Sequence, residues 1–166
     1  MTTSISESDK QVFLALQADT SIMGGLSDAQ VSTLLDLMDT VSFADGQSVF
    51  YSGDPASAIY IVLRGNVRLD FGEDGHPLSQ IEFKPGDCFG ETSVIGIQPH
   101  SASAIAKGEI TLFRLSTSAL FALYETDTKL FAMIIMNVAR EASRRLHHTD
   151  SLFLAYTQTS RLQSVQ

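Results

Sequence analysis

Gly86-Asp87-Cys88-Phe89-Gly90-Glu91-Thr92-Ser93-Val94-Ile95-Gly96-Ile97-Gln98-Pro99-His100-Ser101-Ala102 is the stretch on which the reading of this chain turns. Short strand-like runs precede it, and one more pair of runs follows. Inside it, Gly90-Glu91-Thr92-Ser93 opens what reads as a single helical turn, and Pro99 returns the chain to strand. The first N–H groups of such a turn have no internal partner and carry partial positive charge. A glycine beside them lets an anionic group come close to the backbone. The stretch thus reads as a phosphate cradle and the remainder of the chain as its holder.

Working outward, the hydrophobic period on the N-terminal side is two. Val41 and Phe43 alternate with polar residues up to Asp45-Gly46, and Val49 to Tyr51 is a second short strand ended by Gly53-Asp54-Pro55. Ile59, Ile61 and Leu63 alternate with Tyr60 and Val62, a strand with little polarity on either face. Gly65 turns it into Val67 to Phe71, Gly72 to Pro77 is a polar hairpin tip, and Ile81 and Phe83 lie on the next strand. Beyond the cradle, 101–106 and 110–115 pair around Lys107-Gly108-Glu109. Many short strands with glycine punctuation predict a jelly-roll barrel or a sandwich.

Helices flank this region. Ser8-Asp9-Lys10-Gln11 and Ser27-Asp28-Ala29-Gln30 both have capping-box spacing, the second ahead of Val31, Leu34, Leu35 and Met38 at helical intervals. Ser116 caps a helix through about Tyr124, and a long helix free of Gly and Pro runs from about 126 to about 156. Its residues Ile135, Val138, Ala142, Arg145, Thr149, Leu152 and Tyr156 form a heptad seam with a polar break. A second row, Met136, Ala139, Leu146 and Phe153, lies about 100° around. Either one wide stripe packs on a single subunit, or the second row meets a parallel helix from another copy as a homodimer. The expected fold is mainly β with flanking helices (α+β). It divides into a helical segment over 1–26, a barrel over 27–125, a long helix over 126–157 and a frayed tail over 158–166.

Composition narrows function. One cysteine excludes a disulfide framework and a thiolate-held cluster. A formal net charge of −8 disfavours nucleic acid as a partner. No apolar run reaches membrane-spanning length, and Met1 to Ser8 lacks a secretory signal, so a cytoplasmic protein is expected. No His-x-His pattern with a following Glu marks a barrel metal site, no catalytic elbow is present, and adjacent His147 and His148 point about 100° apart. Neither enzyme activity nor a bound metal is expected.

Phe43-x-x-Gly46, Gly53-Asp54, Ile59-Tyr60-Ile61-Val62-Leu63-x-Gly65-x-Val67-x-Leu69, Pro85-Gly86-Asp87-x-Phe89-Gly90-Glu91 and Arg114-Leu115-Ser116 resemble the cyclic nucleotide-binding domain, over about residues 20–156. The resemblance implies a barrel with its ligand, cyclic AMP or cyclic GMP, inside and no other cofactor. It makes Phe89-Gly90-Glu91-Thr92-Ser93 a phosphate-binding cassette, with Glu91 accepting a ribose hydroxyl and Ser101 adding a phosphate contact. The long helix covers the base and forms the dimer. Arg144-Arg145-Leu146-His147-His148-Thr149 resembles the bacterial activators' helix motif, in which Arg145 would support Glu91 and Thr149 would contact the base.

Three features depart from the pattern. His100 stands where the family places its phosphate arginine, Thr92 and Ser93 replace small apolar residues, and no helix-turn-helix follows the long helix. Losing a charge-assisted hydrogen bond of about 1.5–3 kcal/mol would weaken cyclic nucleotide binding roughly 10- to 150-fold. His100 could substitute when protonated, or it could be an ordinary loop residue. Glu91 could equally hold the helix to the barrel without ligand, and Arg64, Arg68 or Lys84 could reach the pocket instead. Two expectations follow: a regulatory module that binds cyclic nucleotide weakly and signals to an effector protein, or a degenerate dimeric adaptor that binds none.

Overall fold

A computed structural model describes residues 2–3, 5–16, 20–73 and 76–163. Seven strands form one antiparallel sheet: β1 (Thr2–Thr3), β2 (Asp39–Phe43), β3 (Ser48–Phe50), β4 (Ala58–Glu73), β5 (His76–Phe83), β6 (Cys88–Phe89) and β7 (Ser103–Ser116). The path is β1-β2-β7-β4-β5, with β3 also on β7 and β6 also on β4. Among the described residues five helices flank it: α1 (Glu7–Leu16), α2 (Asp28–Asp36), α3 (Glu91–Gly96), α4 (Thr117–Thr126) and α5 (Thr128–Gln163). A 3-10 turn spans Ser21–Met23.

β4 explains the architecture. Side chains alternate between the two faces of a strand, and both faces of this one are covered. Ile59, Ile61 and Leu63 face a core shared with the helices, including Phe13, Leu34, Phe113, Leu130 and Ile134. Tyr60, Val62 and Val67 face the barrel interior with Phe83, Phe89, Ala104 and Leu112. The lack of polarity on either face of 59–63 is therefore the signature of a strand between two cores.

The runs expected as separate strand pairs around Gly65 and Gly108 are instead two continuous strands. β4 and β7 pair from Ala58↔Ser116 to Asp70↔Ser103, with irregularities between Val62 and Asn66. Gly65 adopts φ +75°, and a Cβ there would lie 2.5 Å from the Glu109 carbonyl oxygen. It is a bend within a paired strand, and bulges keep the ladder while changing its direction. The tip of the β4–β5 hairpin, at 74–75, lies outside the described residues.

Caps set the helix boundaries. Ser6, two residues earlier than the expected Ser8 box, caps α1: Asp9 N–H donates to its Oγ at 3.1 Å. Asp9 also pairs with Arg64 at 2.6 Å, which joins α1 to β4. Burial raises the Asp9 pKa, but the Ser6 hydrogen bond and Arg64 outweigh it and hold the carboxyl below its ordinary value. The Ser27–Gln30 box forms as expected. Ser116 caps α4 through the Ala119 N–H at 3.1 Å, and Asp127 caps α5 through the Leu130 N–H at 2.9 Å.

α5 docks along one row. Leu130, Ile134 and Val138, at intervals of four, are buried against the helix-side core. Beside them Asn137 is also buried. Its amide nitrogen donates to the carbonyls of Ile22 and Gly24 at 3.0 and 2.8 Å, and Arg140 donates to its oxygen at 2.8 Å. Asn137→Ala is expected to lower stability by about 1–3 kcal/mol, because two carbonyls lose their donors. Urea unfolding measures this, and a loss under about 0.5 kcal/mol, the range of neutral surface changes, would contradict it. The helical backbone continues to Gln163, past the expected end near 156–157, while 164–166 lie outside the described residues. The second row faces outward, with Met136, Leu146 and Phe153 exposed by 52, 62 and 66%.

Candidate functional site

The 86–102 stretch folds as the sequence indicates, with one short helix between two extended segments. Asp87 closes the turn before it: Oδ2 accepts from the Lys84 N–H at 2.7 Å. Gly90, at φ +81°, is the residue before α3. A Cβ there would meet the Ala58 carbonyl oxygen at 3.0 Å and the Tyr60 ring at 3.4 Å. Glycine thus serves both the left-handed turn and the close packing of α3 on β4.

This turn forms one wall of a cavity of about 490 Å³. Gly90, Thr92, Ser93, His100 and Ser101 line that wall. Leu69, Phe71, Ile81 and Phe83 from β4 and β5 make an apolar side, and Arg145 and Thr149 lie opposite on α5. Of the nine residues expected at the site, seven therefore line one cavity: Gly90, Thr92, Ser93, His100, Ser101, Arg145 and Thr149. Phe89 lies elsewhere. Its neighbour Cys88 takes one face of β6 and it takes the other, where it stacks on Tyr60 at 5.3 Å in the barrel core.

Glu91 is the remaining residue, and it lies fully buried behind the wall formed by its neighbours. Its Oε1 accepts from Arg145 Nη1 at 2.7 Å. Arg145 also donates to the Cys88 carbonyl, sits 3.4 Å from Glu141 and lies over the Phe83 ring at 4.7 Å. The polar break in the heptad seam is therefore the contact that ties α5 to the barrel. Burial pushes the Glu91 carboxyl above its ordinary pKa; Arg145 opposes that shift and Glu141 adds to it. Glu91 Oε2 is buried with no hydrogen-bond partner among the described residues. Such an orphaned acceptor is costly unless a donor reaches it. Burial also pushes the Cys88 thiol up to about 12, the behaviour of a packed, unreactive side chain.

His100 is 5% exposed and stacks face to face on Phe50 with ring centroids 3.6 Å apart. Burial lowers its pKa, against a smaller opposing effect of Asp54. It is therefore a neutral ring at pH 7. None of the barrel cations considered above lines the cavity. Arg64 is held by Asp9 and Arg68 by Asp70. Sequence reasoning missed Glu141, Arg144 and His148, which share the cavity-facing side of α5 with Arg145 and Thr149. Their spacing, 141-144-145-148-149, is a helical face that could have been read directly. Among the described residues no group of three His, Cys, Asp or Glu converges on a metal position.

Residues 40–127 match the sequence profile of the cyclic nucleotide-binding domain. This chain belongs to that family. The cyclic nucleotide-binding domain shares 30% identity over 129 residues with a cyclic AMP receptor protein of Thermus thermophilus, covering 76% of this chain and 57% of the relative. It shares 29% identity over 98 residues with a cAMP-dependent protein kinase regulatory subunit of Hypocrea atroviridis, covering 59% of this chain and 20% of the relative. The chain thus spans between a fifth and three-fifths of these relatives. Its fold superposes on the Thermus thermophilus catabolite activator protein with a TM-score of 0.73 and 28% identity, over 82% of this chain and 63% of that one. The antiparallel barrel with its C-terminal helix is the family's fold, and the homologues are regulatory proteins. No helix among the described residues is long and apolar enough to cross a membrane.

Proposed function

We propose that this domain is a non-catalytic regulatory module that binds a cyclic nucleotide weakly in the cavity between α3 and α5 and signals to an effector protein through α5. The observation that carries this reading is the Glu91–Arg145 ion pair at 2.7 Å, which joins the ligand-facing turn to the helix beside a cavity of about 490 Å³. That volume lies within the range of small-molecule sites, about 300–1,000 Å³. Gly90, Thr92 and Ser93 with Ser101 face the phosphate, Thr149 faces the base, and Glu91 Oε2, buried behind that wall, is the acceptor that a ribose hydroxyl would have to reach. A ligand that satisfies Oε2 changes the balance at the same carboxylate that holds Arg145, so binding is felt by α5. The exposed row Met136, Leu146 and Phe153 favours pairing of α5 with its counterpart in a second copy. The single buried thiol suits a reducing cytoplasm, and the net charge of −8 argues against DNA as the direct partner.

Neutral His100 in the arginine's place supports a second reading, an adaptor that binds no nucleotide. Calorimetric titration with cyclic AMP and cyclic GMP separates the two. Saturable binding supports the sensor, and silence in a folded protein supports the adaptor. A phosphate binds the protonated ring better, so affinity rises as pH falls; because burial lowers the pKa of the unliganded His100, the rise levels off only below the free imidazole value of about 6.5.

A further inference from the structure

The cavity's charges point to a ligand class that the family's name does not. Two arginines line it, and both come from α5. Arg145 uses all three guanidinium nitrogens on Glu91, the Cys88 carbonyl and Glu141. Arg144 pairs with Glu141 at 2.9 Å. Against them stand three lining carboxylates, Glu82, Asp87 and Glu141, with Glu91 just behind the wall. Glu82 is partnered by Lys107 at 2.9 Å, and that contact lowers its pKa and keeps it ionised. On the wall where a phosphate would rest, the only titratable side chain is His100, and its burial against Phe50 keeps it neutral.

An anion entering this cavity loses water and meets two arginines already paired with carboxylates, with His148 the one other basic side chain in the lining besides His100. Removing an ion from water is costly unless a paired charge compensates it. Base and ribose face no such penalty. Leu69, Phe71, Ile81 and Phe83 offer apolar surface, and the Thr92, Ser93, Ser101 and Thr149 hydroxyl side chains offer uncharged hydrogen-bonding partners.

We infer that the preferred ligand is an uncharged nucleoside, base and ribose without the cyclic phosphate. The inference rests on the reading that this cavity is the ligand site. Within that reading it assigns affinity to base and ribose, with the phosphate neutral or unfavourable.

The test is calorimetric titration of the full chain at pH 7.5 with four probes: adenosine, guanosine, cyclic AMP and cyclic GMP. The expected result is that at least one nucleoside binds as tightly as its cyclic nucleotide or more tightly. A cyclic nucleotide that binds tenfold or more tighter than its nucleoside would overturn the inference while leaving the sensor reading intact. No binding by any of the four would overturn both. His100→Arg supplies a second readout: it is expected to tighten the cyclic nucleotide roughly 10- to 150-fold and leave the nucleoside within about threefold. Equal tightening of both would show that the phosphate is not what this position reads, and would overturn the inference.

Discussion

Arg145→Leu is expected to destabilise the fold by about 3–5 kcal/mol at pH 8, the cost of removing one member of a buried ion pair and leaving the other charge uncompensated. Glu91 is fully buried, and Arg145 is its partner at 2.7 Å. The same substitution removes the donor to the Cys88 carbonyl and the cation over Phe83. The loss depends on pH. Glu91 has a raised folded-state pKa, so the folded state holds its proton to higher pH than the unfolded chain. Its unfavourable contribution is fully present above the folded pKa. That contribution fades as pH falls and is absent below the unfolded value of about 4.3. Without Arg145 the pKa rises further, and the variant escapes part of its penalty by taking up a proton. The difference from wild type therefore shrinks between pH 8 and pH 5. Guanidinium unfolding at several pH values measures it. A loss below about 1 kcal/mol with no pH dependence would match an exposed pair and contradict this account. Glu91→Gln combined with Arg145→Leu should lose less than the two single losses added, since the charge left behind is gone.

His100→Arg is the second large effect, and it is a gain. The ring it replaces lies beside Gly90, with Cε1 3.7 Å from where a Gly90 Cβ would sit, and stacks on Phe50 at 3.6 Å. A guanidinium can keep the stack on Phe50 and present its fork to the phosphate. A charge-assisted hydrogen bond of about 1.5–3 kcal/mol corresponds to roughly 10- to 150-fold tighter cyclic AMP binding. The variant introduces a buried charge, so without ligand it should be less stable than wild type and recover stability as cyclic AMP is added. Circular dichroism establishes folding, and titration reads the affinity. Unchanged affinity in a folded variant would place the phosphate elsewhere.

Much of the fold was legible because its signals are local. Period-two runs, the Ser27 box, the Ser116 cap and the glycine-bounded 86–102 stretch each report backbone geometry from nearby residues. What escaped was set by distant partners. Gly65 and Gly108 look like turns, and only pairing across the barrel makes them bends in continuous strands. Ser6 rather than Ser8 caps α1, and the Asp9 it caps with is also held by Arg64 on β4. The outward row of α5 was legible from periodicity, but its inner row, Leu130, Ile134 and Val138, meets the heptad seam only at Val138, because the core shared with the flanking helices sets that contact. At the site, residue identities were legible and side-chain states were not. Phe89 and Gly90 are adjacent in sequence, yet strand alternation sends one to the core and places the other at the cavity. The neutrality of His100 comes from its burial against Phe50, a contact between the end of β3 and the segment after α3. Arg145 was expected as a polar break in the heptad seam and, by resemblance, at Glu91; the contact with Glu91 is the one that forms.

Hydrogen exchange on the full chain, without ligand and with millimolar adenosine or cyclic AMP, tests most directly whether the α3 turn and α5 form one responsive site. The account predicts joint slowing at the amides of 90–94 and 141–149 with either probe. Protection confined to one of these segments, or to neither, would contradict it.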